Sequence, residues 1–495
     1  MWGKTLSNTI LKQLEVKANR IKEEILKHNF FKINREEAIM FLISRLETSV
    51  RISGGKLFSN FQKDDFFREN EKLVNIIQTS LPFIFRNLKE ESQVNNVKIE
   101  VNELVLLIQQ IYDYLEFKKY IQLFKNKVVN VVVNNQKIRF EYKSDVCRIN
   151  EIYNGYWHMK EQQNAIEGVR NLQDITDNMF DLTVDINLGN FTLEKYKIFC
   201  KGIDILMQDE YAKTVMIAGE IGYLKFKKKE WIAKLSHLVP ELGQETIGYI
   251  IDFLTYDFED INSDPILSYF IPIKGNLILS LSLFSSQRLD KNILRLLNQK
   301  NPSLYQNEQK KLEFHQINEL ESQKLNIYDF DTDKNGSPGE DLIVYDKVAN
   351  AVHVIELKYK LPVDTVNEIR NLSNLLTKAN KQNIVASESL TVDNVFEKYF
   401  DNKYKGYKPN KIIFFSLTNY SIDYFSDNSI MLIQHYAQLL KKDKCSKRLE
   451  MIFNDKFRGL NLQPKIKFKK INLFGNKIKI PFNYSEFPLG QELKY

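Results

Sequence analysis

The chain has 495 residues, 43% of them hydrophobic and 27% charged, with a net charge of +7. That balance belongs to a folded globular protein and excludes a disordered or collagen-like one, while the length exceeds one ordinary core and implies about three domains. No apolar run reaches the roughly 18 residues of a membrane span, and the start leads into a charged helix instead of a signal-peptide core, so a cytoplasmic protein without membrane contact is expected.

Cys147, Cys200 and Cys445 stand far apart without metal-ligand spacing, which points away from a disulfide framework and from a zinc site. From Thr5 to about Leu123, apolar residues such as Ile10, Leu14, Ile21 and Ile25 recur at helical spacing, so residues 1–125 read as an α-helical domain for scaffolding or partner contact. Within it, Phe58 to Arg68 is aromatic and basic, which reads first as a solvated helix face. The texture changes near Asn126, where two β-rich runs between Val128 and Tyr142 flank a turn and predict a hairpin. Residues 126–285 read as a mixed α/β specificity or regulatory region, with helices over Phe191–Met207 and Glu230–Leu254 and a strand from Leu277. His158 beside Trp157 reads as a packed histidine, and Gly219 to Gly222 is too incomplete for a phosphate loop. Gln287 to Lys324 predicts helix on both sides of a break at Pro302.

The chemistry concentrates between Asn335 and Lys358. Turn formers lead into Asp341-Leu342-Ile343-Val344-Tyr345-Asp346, a polar pause follows at Lys347–Asn350, and Ala351-Val352-His353-Val354-Ile355-Glu356-Leu357-Lys358 resumes. Two β-branched runs around a four-residue loop predict a hairpin in which Asp346 faces Ala351, Ile343 faces Val354 and Asp341 faces Glu356. Alternation then places Asp341, Glu356 and Lys358 on one face, and the apolar residues on both faces predict a sheet covered on both sides. Two neighbouring carboxylates in such a place repel unless a cation lies between them, and carboxylate oxygens with room for water and phosphate suit Mg²⁺ or Mn²⁺. An ammonium two residues beyond the Glu can orient a water or stabilise charge on a phosphoryl group, which together describes a phosphodiesterase site.

Beyond it, Asp364 starts an amphipathic helix carrying Ile369, Leu372, Leu376 and Ala379, Lys411 to Thr418 reads as a buried strand, and Ser429 to Lys441 as a helix. The last 55 residues hold 14 Lys plus Arg against 5 Asp plus Glu. There Lys465, Lys467 and Lys469 alternate with apolar residues, as a strand presenting ammonium groups to nucleic-acid phosphates would. The competing view is that such lysines protect a sheet edge from aggregation.

Asp341, fourteen intervening residues and Glu356-Leu357-Lys358 resemble the PD-(D/E)xK nuclease superfamily, the restriction-endonuclease-like fold. The departure is at the Pro of its motif, where Gly339-Glu340 stands, with Pro338 two residues further back. The resemblance implies an αββαβ core, Asp341 and Glu356 as ligands of Mg²⁺ or Mn²⁺, and Lys358 beside the nucleophile. It implies a further acidic ligand on the preceding helix, for which Glu313 and Glu321 both share a face with Ile317, with His315 a weaker candidate. It also implies support from the following helix, where Lys378 and Gln382 are candidates for phosphate or supporting contacts, with Lys360 beside the site. The QxxxY pattern of RecB-like members is missing.

The expectation is therefore a multidomain α/β protein with the nuclease domain at 286–440 and a basic extension at 441–495. Its expected activity is metal-dependent hydrolysis of nucleic acid, DNA ahead of RNA, in bacterial restriction or anti-phage defence, as a homo-oligomer or with a partner defence protein. The alternatives are a nucleic-acid-binding or assembly protein with an inactive nuclease-like domain, or a helical scaffold carrying a charged hairpin.

Overall fold

The structure is a computed structural model that describes residues 2–44, 76–91, 99–142, 184–215, 223–281, 289–359, 366–419, 430–454 and 465–484, apart from a few single positions. Cys147, Phe58–Arg68, Trp157-His158, Gly219–Gly222 and Lys360 lie outside the described residues, as do the side chains of Lys465 and Lys467. The fold is mixed α/β and divides into two compact units, each built from separate stretches of chain. One comprises residues 1–121, 167–308 and 471–478, the other 122–166, 309–470 and 479–495. Among the described residues no helix is long and apolar enough to cross a membrane.

The first unit contains helix α1 (Trp2–Leu26), most of α2 (Val101–Lys125), α3 (Leu193–Val215), α4 (Lys228–Leu238), α5 (Gly243–Phe253) and α6 (Leu289–Lys300). The helix expected over Glu230–Leu254 is two helices, because Pro240 lacks the N–H that would continue α4 and instead begins a 3₁₀ turn. A small sheet of β3 (Tyr223–Phe226), β4 (Ile271–Ile273) and β5 (Asn276–Ser280) runs in the order β3-β5-β4. Trp231 is enclosed against Phe226 and Phe270, and its indole N–H donates to the Leu277 carbonyl at 3.0 Å, which satisfies the ring's one polar atom. Cys200 is buried here and Cys445 in the second unit, both as free thiols.

The second unit holds the stretch that carries the chemistry. Its five-stranded sheet consists of β6 (Tyr328–Asp331), β7 (Leu342–Asp346), β8 (Ala351–Lys358), β9 (Lys411–Thr418) and β10 (Ile430–Leu432), ordered β10-β9-β8-β7-β6. Strands β6, β7 and β8 pair antiparallel, and β8, β9 and β10 pair parallel. One face, with Leu342, Val344, Ile355, Leu357 and Phe415, packs against Ile317 and Leu320 of α7 (Pro302–Gln323), and against α10 (Ile433–Leu440) and α11 (Cys445–Asn454). The other face, with Ile343, Tyr345, Val352 and Val354, is covered by Ala386 of α8 (Val366–Ser389) and by Val395 and Phe396 of the short α9 (Val395–Lys398). Covering on both sides explains why both faces of these strands are apolar. Strand β6 was not expected from sequence, and residues 430–432 are a strand where a helix was expected. In β10, Ile430-Met431-Leu432 is buried on all sides as the partner of β9, a tertiary setting that overrides the helical periodicity beginning at Ile433.

A four-stranded sheet joins the hairpin β1 (Val129–Asn134) and β2 (Lys137–Tyr142) to β11 (Lys465–Leu473) and β12 (Asn476–Tyr484), in the order β1-β2-β12-β11.

Candidate active site

The β7–β8 hairpin has the register that its loop length dictates: Ile343 pairs with Val354 and Asp346 with Ala351. The turn closes on Asn350, whose φ of 45° is the left-handed conformation Asn tolerates, and on Asp346, whose Oδ1 accepts from the Val348 and Ala349 amides at 3.1 and 3.0 Å. At the opposite end, one step past the last pair, Asp341 and Glu356 come together with Lys358. Asp341 Oδ2 accepts the Leu357 amide at 2.7 Å, Glu356 Oε2 accepts the Gly339 amide at 2.7 Å, and the Lys358 ammonium pairs with Glu356 Oε1. Glu356 is only 1% exposed.

Burial, and then the neighbouring Asp341, push the Glu356 carboxyl above its ordinary range, against the pull of Lys358. Burial likewise raises Asp341, opposed by the Leu357 amide and by Lys358. Burial thus raises both neighbouring carboxyls, so their ionised forms call for positive charge nearby, of which Lys358 supplies one.

Helix α7 adds a third acid. Gln309 donates to the Tyr359 carbonyl at 2.9 Å and so ties the helix to the end of β8. Glu313, one turn on, accepts from the Tyr359 amide at 3.4 Å, and burial raises its carboxyl against the field of Lys358. Glu321 is exposed, so the expectation that it joins the pair is corrected. Eight residues along a helix is about 12 Å, too far from a site that Glu313 already flanks. His315 faces Glu319 at 3.2 Å.

On α8, Lys378 is exposed, while Gln382 is half-buried with an enclosed Oε1 that has no hydrogen-bond partner among the described residues. Two residues that the sequence does not single out stand on the elements beside Glu356. Ser416 of β9 stands opposite Glu356 in the parallel register, and its Oγ receives the Asn383 Nδ2–H at 2.8 Å. Asn383 is 6% exposed, and its Oδ1 also lacks a partner among the described residues. The signal was present: Ala379, Asn383 and Ala386 form the buried stripe of α8, and a lone amide on such a stripe needs a polar reason to be there.

The loop before Asp341 is pinned on several sides. Glu340, also buried, pairs with Lys398 at 2.7 Å and accepts from the Tyr399 hydroxyl. Gly339 has a φ of +85°, and a Cβ there would lie 2.5 Å from the Gln382 carbonyl oxygen. Both facts require glycine here, two residues before Asp341, in the Gly339-Glu340 pair that stands where the resemblance expects the motif's proline. Gly339→Ala is therefore expected to destabilise by about 2 kcal/mol or more and to displace the amide that holds Glu356, read as a lowered Tm with faster hydrogen exchange at β8.

Two carboxylates with a third on their flank are hard oxygen donors, and in kind they fit Mg²⁺ or Mn²⁺. Among the described residues no three His, Cys, Asp or Glu side chains stand preassembled around one point. The Lys358 ammonium instead occupies Glu356 Oε1, and cation binding at the pair would require that contact to open. Of the basic residues expected to meet nucleic acid, Lys469 is half-buried on the strand face that also carries Ile471 and Leu473. It is not part of an exposed row, because alternation turns that face of β11 inward. No family model matches the chain, and neither a curated protein nor a solved structure matches it.

Proposed function

We propose that the chain is a metal-dependent nuclease that hydrolyses phosphodiester bonds, DNA ahead of RNA. The observation that carries this reading is the convergence of Asp341, Glu356 and Lys358 at the open end of one hairpin, with Glu313 beside them. An antiparallel hairpin followed by a helix and a parallel neighbour strand supports it as well, since that is the order the resemblance to PD-(D/E)xK nucleases implies. Asp341 and Glu356 would hold Mg²⁺ or Mn²⁺, with Glu313 as a further carboxylate at the end of β8. When bound, the cation lowers the pKa of a coordinated water and neutralises charge on the phosphate oxygens.

The chain's own groups do the rest. Lys358 Nζ, released from Glu356, can donate to the attacking water or to a non-bridging phosphate oxygen. The amides of Leu357 and Gly339 fix the two carboxylates so that little reorganisation accompanies the chemistry. A role in restriction or anti-phage defence is the cellular setting we propose, by analogy of layout alone. The test is cleavage of plasmid DNA, single-stranded DNA and RNA with Mg²⁺, with Mn²⁺ and with EDTA. Metal-dependent cutting that Glu356→Gln and Lys358→Met both abolish is expected. Cutting that survives both substitutions refutes the site, and Mn²⁺ binding without cutting of any substrate favours an inactive nuclease-like binding protein.

A further inference from the structure

Exposed basic side chains gather on the outward face of the four-stranded sheet. Along β2, Ile138 and Phe140 are buried while Lys137 and Arg139 are exposed; along β12, Ile480 is buried and Lys479 exposed; on β11, Lys470 is exposed. Because strand side chains alternate, the buried set marks the inner face and Lys137, Arg139, Lys470 and Lys479 share the outer one. An independent contact agrees. Strand β12 lies between β2 and β11, and the Arg139 guanidinium spans it to sit 4.6 Å over the ring of Phe468 on β11. Glu141, the acid of β2 on this face, is taken up by Arg139 at 2.7 Å, and β1 adds only uncharged Asn130, Val132 and Asn134.

Lysines that prevent edge-to-edge pairing belong on edge strands. Lys137 and Lys479 sit on the two inner strands of this sheet, so edge protection does not account for them. Like charges gathered on one exposed face repel one another, and a polyanion laid across them relieves that repulsion with release of its counterions.

We propose that this face binds the phosphate backbone of a nucleic acid, with Lys137, Arg139, Lys470 and Lys479 as its contacts; the proposal rests on the nuclease reading for the identity of the polyanion. It uses two segments more than 320 residues apart in sequence, the β1–β2 hairpin and the C-terminal strands, which only the fold makes one surface.

The experiment is fluorescence anisotropy of the full chain with labelled 30-nucleotide single-stranded and duplex DNA and RNA, in EDTA so that binding is read without cleavage. Wild type is compared with Lys137→Gln/Lys470→Gln/Lys479→Gln, and with Lys195→Gln/Lys225→Gln/Lys229→Gln, which removes equal charge from exposed positions elsewhere. The first variant is expected to weaken binding roughly 10- to 100-fold and to reduce the slope of log affinity against log salt by about 2 to 3. The second is expected to leave both nearly unchanged. Equal losses in both variants, or none in the first, overturn the proposal, as does binding to phosphatidylserine vesicles in place of every oligonucleotide. Single Lys137→Gln and Lys479→Gln variants, each expected to lower the slope by about one, keep the test decisive if the triple variant folds poorly. Cleavage that depends on Glu356 while this face proves inert sinks the surface and leaves the nuclease standing; binding at this face without cleavage does the reverse.

Discussion

Glu356→Gln is expected to reduce metal-dependent cleavage by at least about 10³-fold while leaving the metal-free protein folded. This carboxylate does two things: it would ligate the cation, the source of the large effect, and it receives the Gly339 amide that sets its own position. Gln keeps the second and loses the first. Asp341→Asn should fall as far, and the double variant little further, since in the proposed site the two acids serve one centre and their losses would not add.

A readout independent of turnover comes from stability. Mn²⁺ at a hundred times its Kd should stabilise the wild-type chain by about 2.7 kcal/mol, seen as a raised Tm, and should leave Glu356→Gln unmoved. The metal-free protein adds a sign. Because the folded Glu356 and Asp341 carboxyls lie above their unfolded values, their contribution is most favourable at low pH and declines as pH rises through the folded values. Stabilisation by metal should accordingly grow as pH rises through the titration of these two carboxyls. A metal effect that persists in Glu356→Gln would place the cation elsewhere.

The second large effect is expected at the hairpin's closed end, where acid should loosen the second unit. His353 is fully enclosed, with Nδ1 2.8 Å from the Tyr436 hydroxyl and Nε2 2.8 Å from Ser446 Oγ, and Ser446 Oγ donates in turn to Asp346 Oδ2 at 2.5 Å. Counting hydrogens assigns the tautomer. Asp346 only accepts, so Ser446 spends its one hydrogen there, His353 must donate from Nε2, and Nδ1 must accept from Tyr436. The chain of donors therefore runs from Tyr436 through His353 and Ser446 to Asp346, and a second proton on His353 would meet the Tyr436 hydroxyl only if that hydroxyl turned its own hydrogen away from the contact.

Burial lowers His353 to about 4, even with Asp346 nearby. The unfolded histidine takes its proton near 6.5, so stability is intact above that pH and is lost as pH falls from 6.5 toward 4, by about 3 kcal/mol in all. Hydrogen exchange of the β7 and β8 amides between pH 7 and pH 4.5, corrected for intrinsic rates, reads this in the unit concerned. His353→Gln, which keeps an N–H donor and a carbonyl acceptor without a titrating ring, should cost about 1 to 2 kcal/mol at pH 7 and remove most of the acid sensitivity. If the variant shows the same acid profile as wild type, another group is responsible. Asp329 is distinguishable because Lys347, Lys403 and Tyr404 hold it down to about 2, so its contribution is lost only below about pH 4.

What the sequence determined by itself is what depends on neighbours along the chain. The four-residue loop and the alternation of β-branched residues settle the pairing of Ile343 with Val354, and with it the placing of Asp341, Glu356 and Lys358 on one face, because a strand's period is two and a tight loop leaves one register. Amphipathic spacing likewise located α8, and the apolar run located β9.

The tertiary structure decided whatever depends on which distant surface an element meets. Glu313 and Glu321 are equivalent on α7 by periodicity, and only the contact of Gln309 and Glu313 with Tyr359 separates them. Asn383 meets Ser416, and His353 meets Tyr436 and Ser446, across 33, 83 and 93 residues, distances over which no local pattern carries information. Half-buried Lys469 and exposed Lys470 are alike in sequence, and the side of the sheet that is covered tells them apart. Periodicity specifies which residues share a face; burial of that face against the rest of the chain is the free-energy term that chooses where it points.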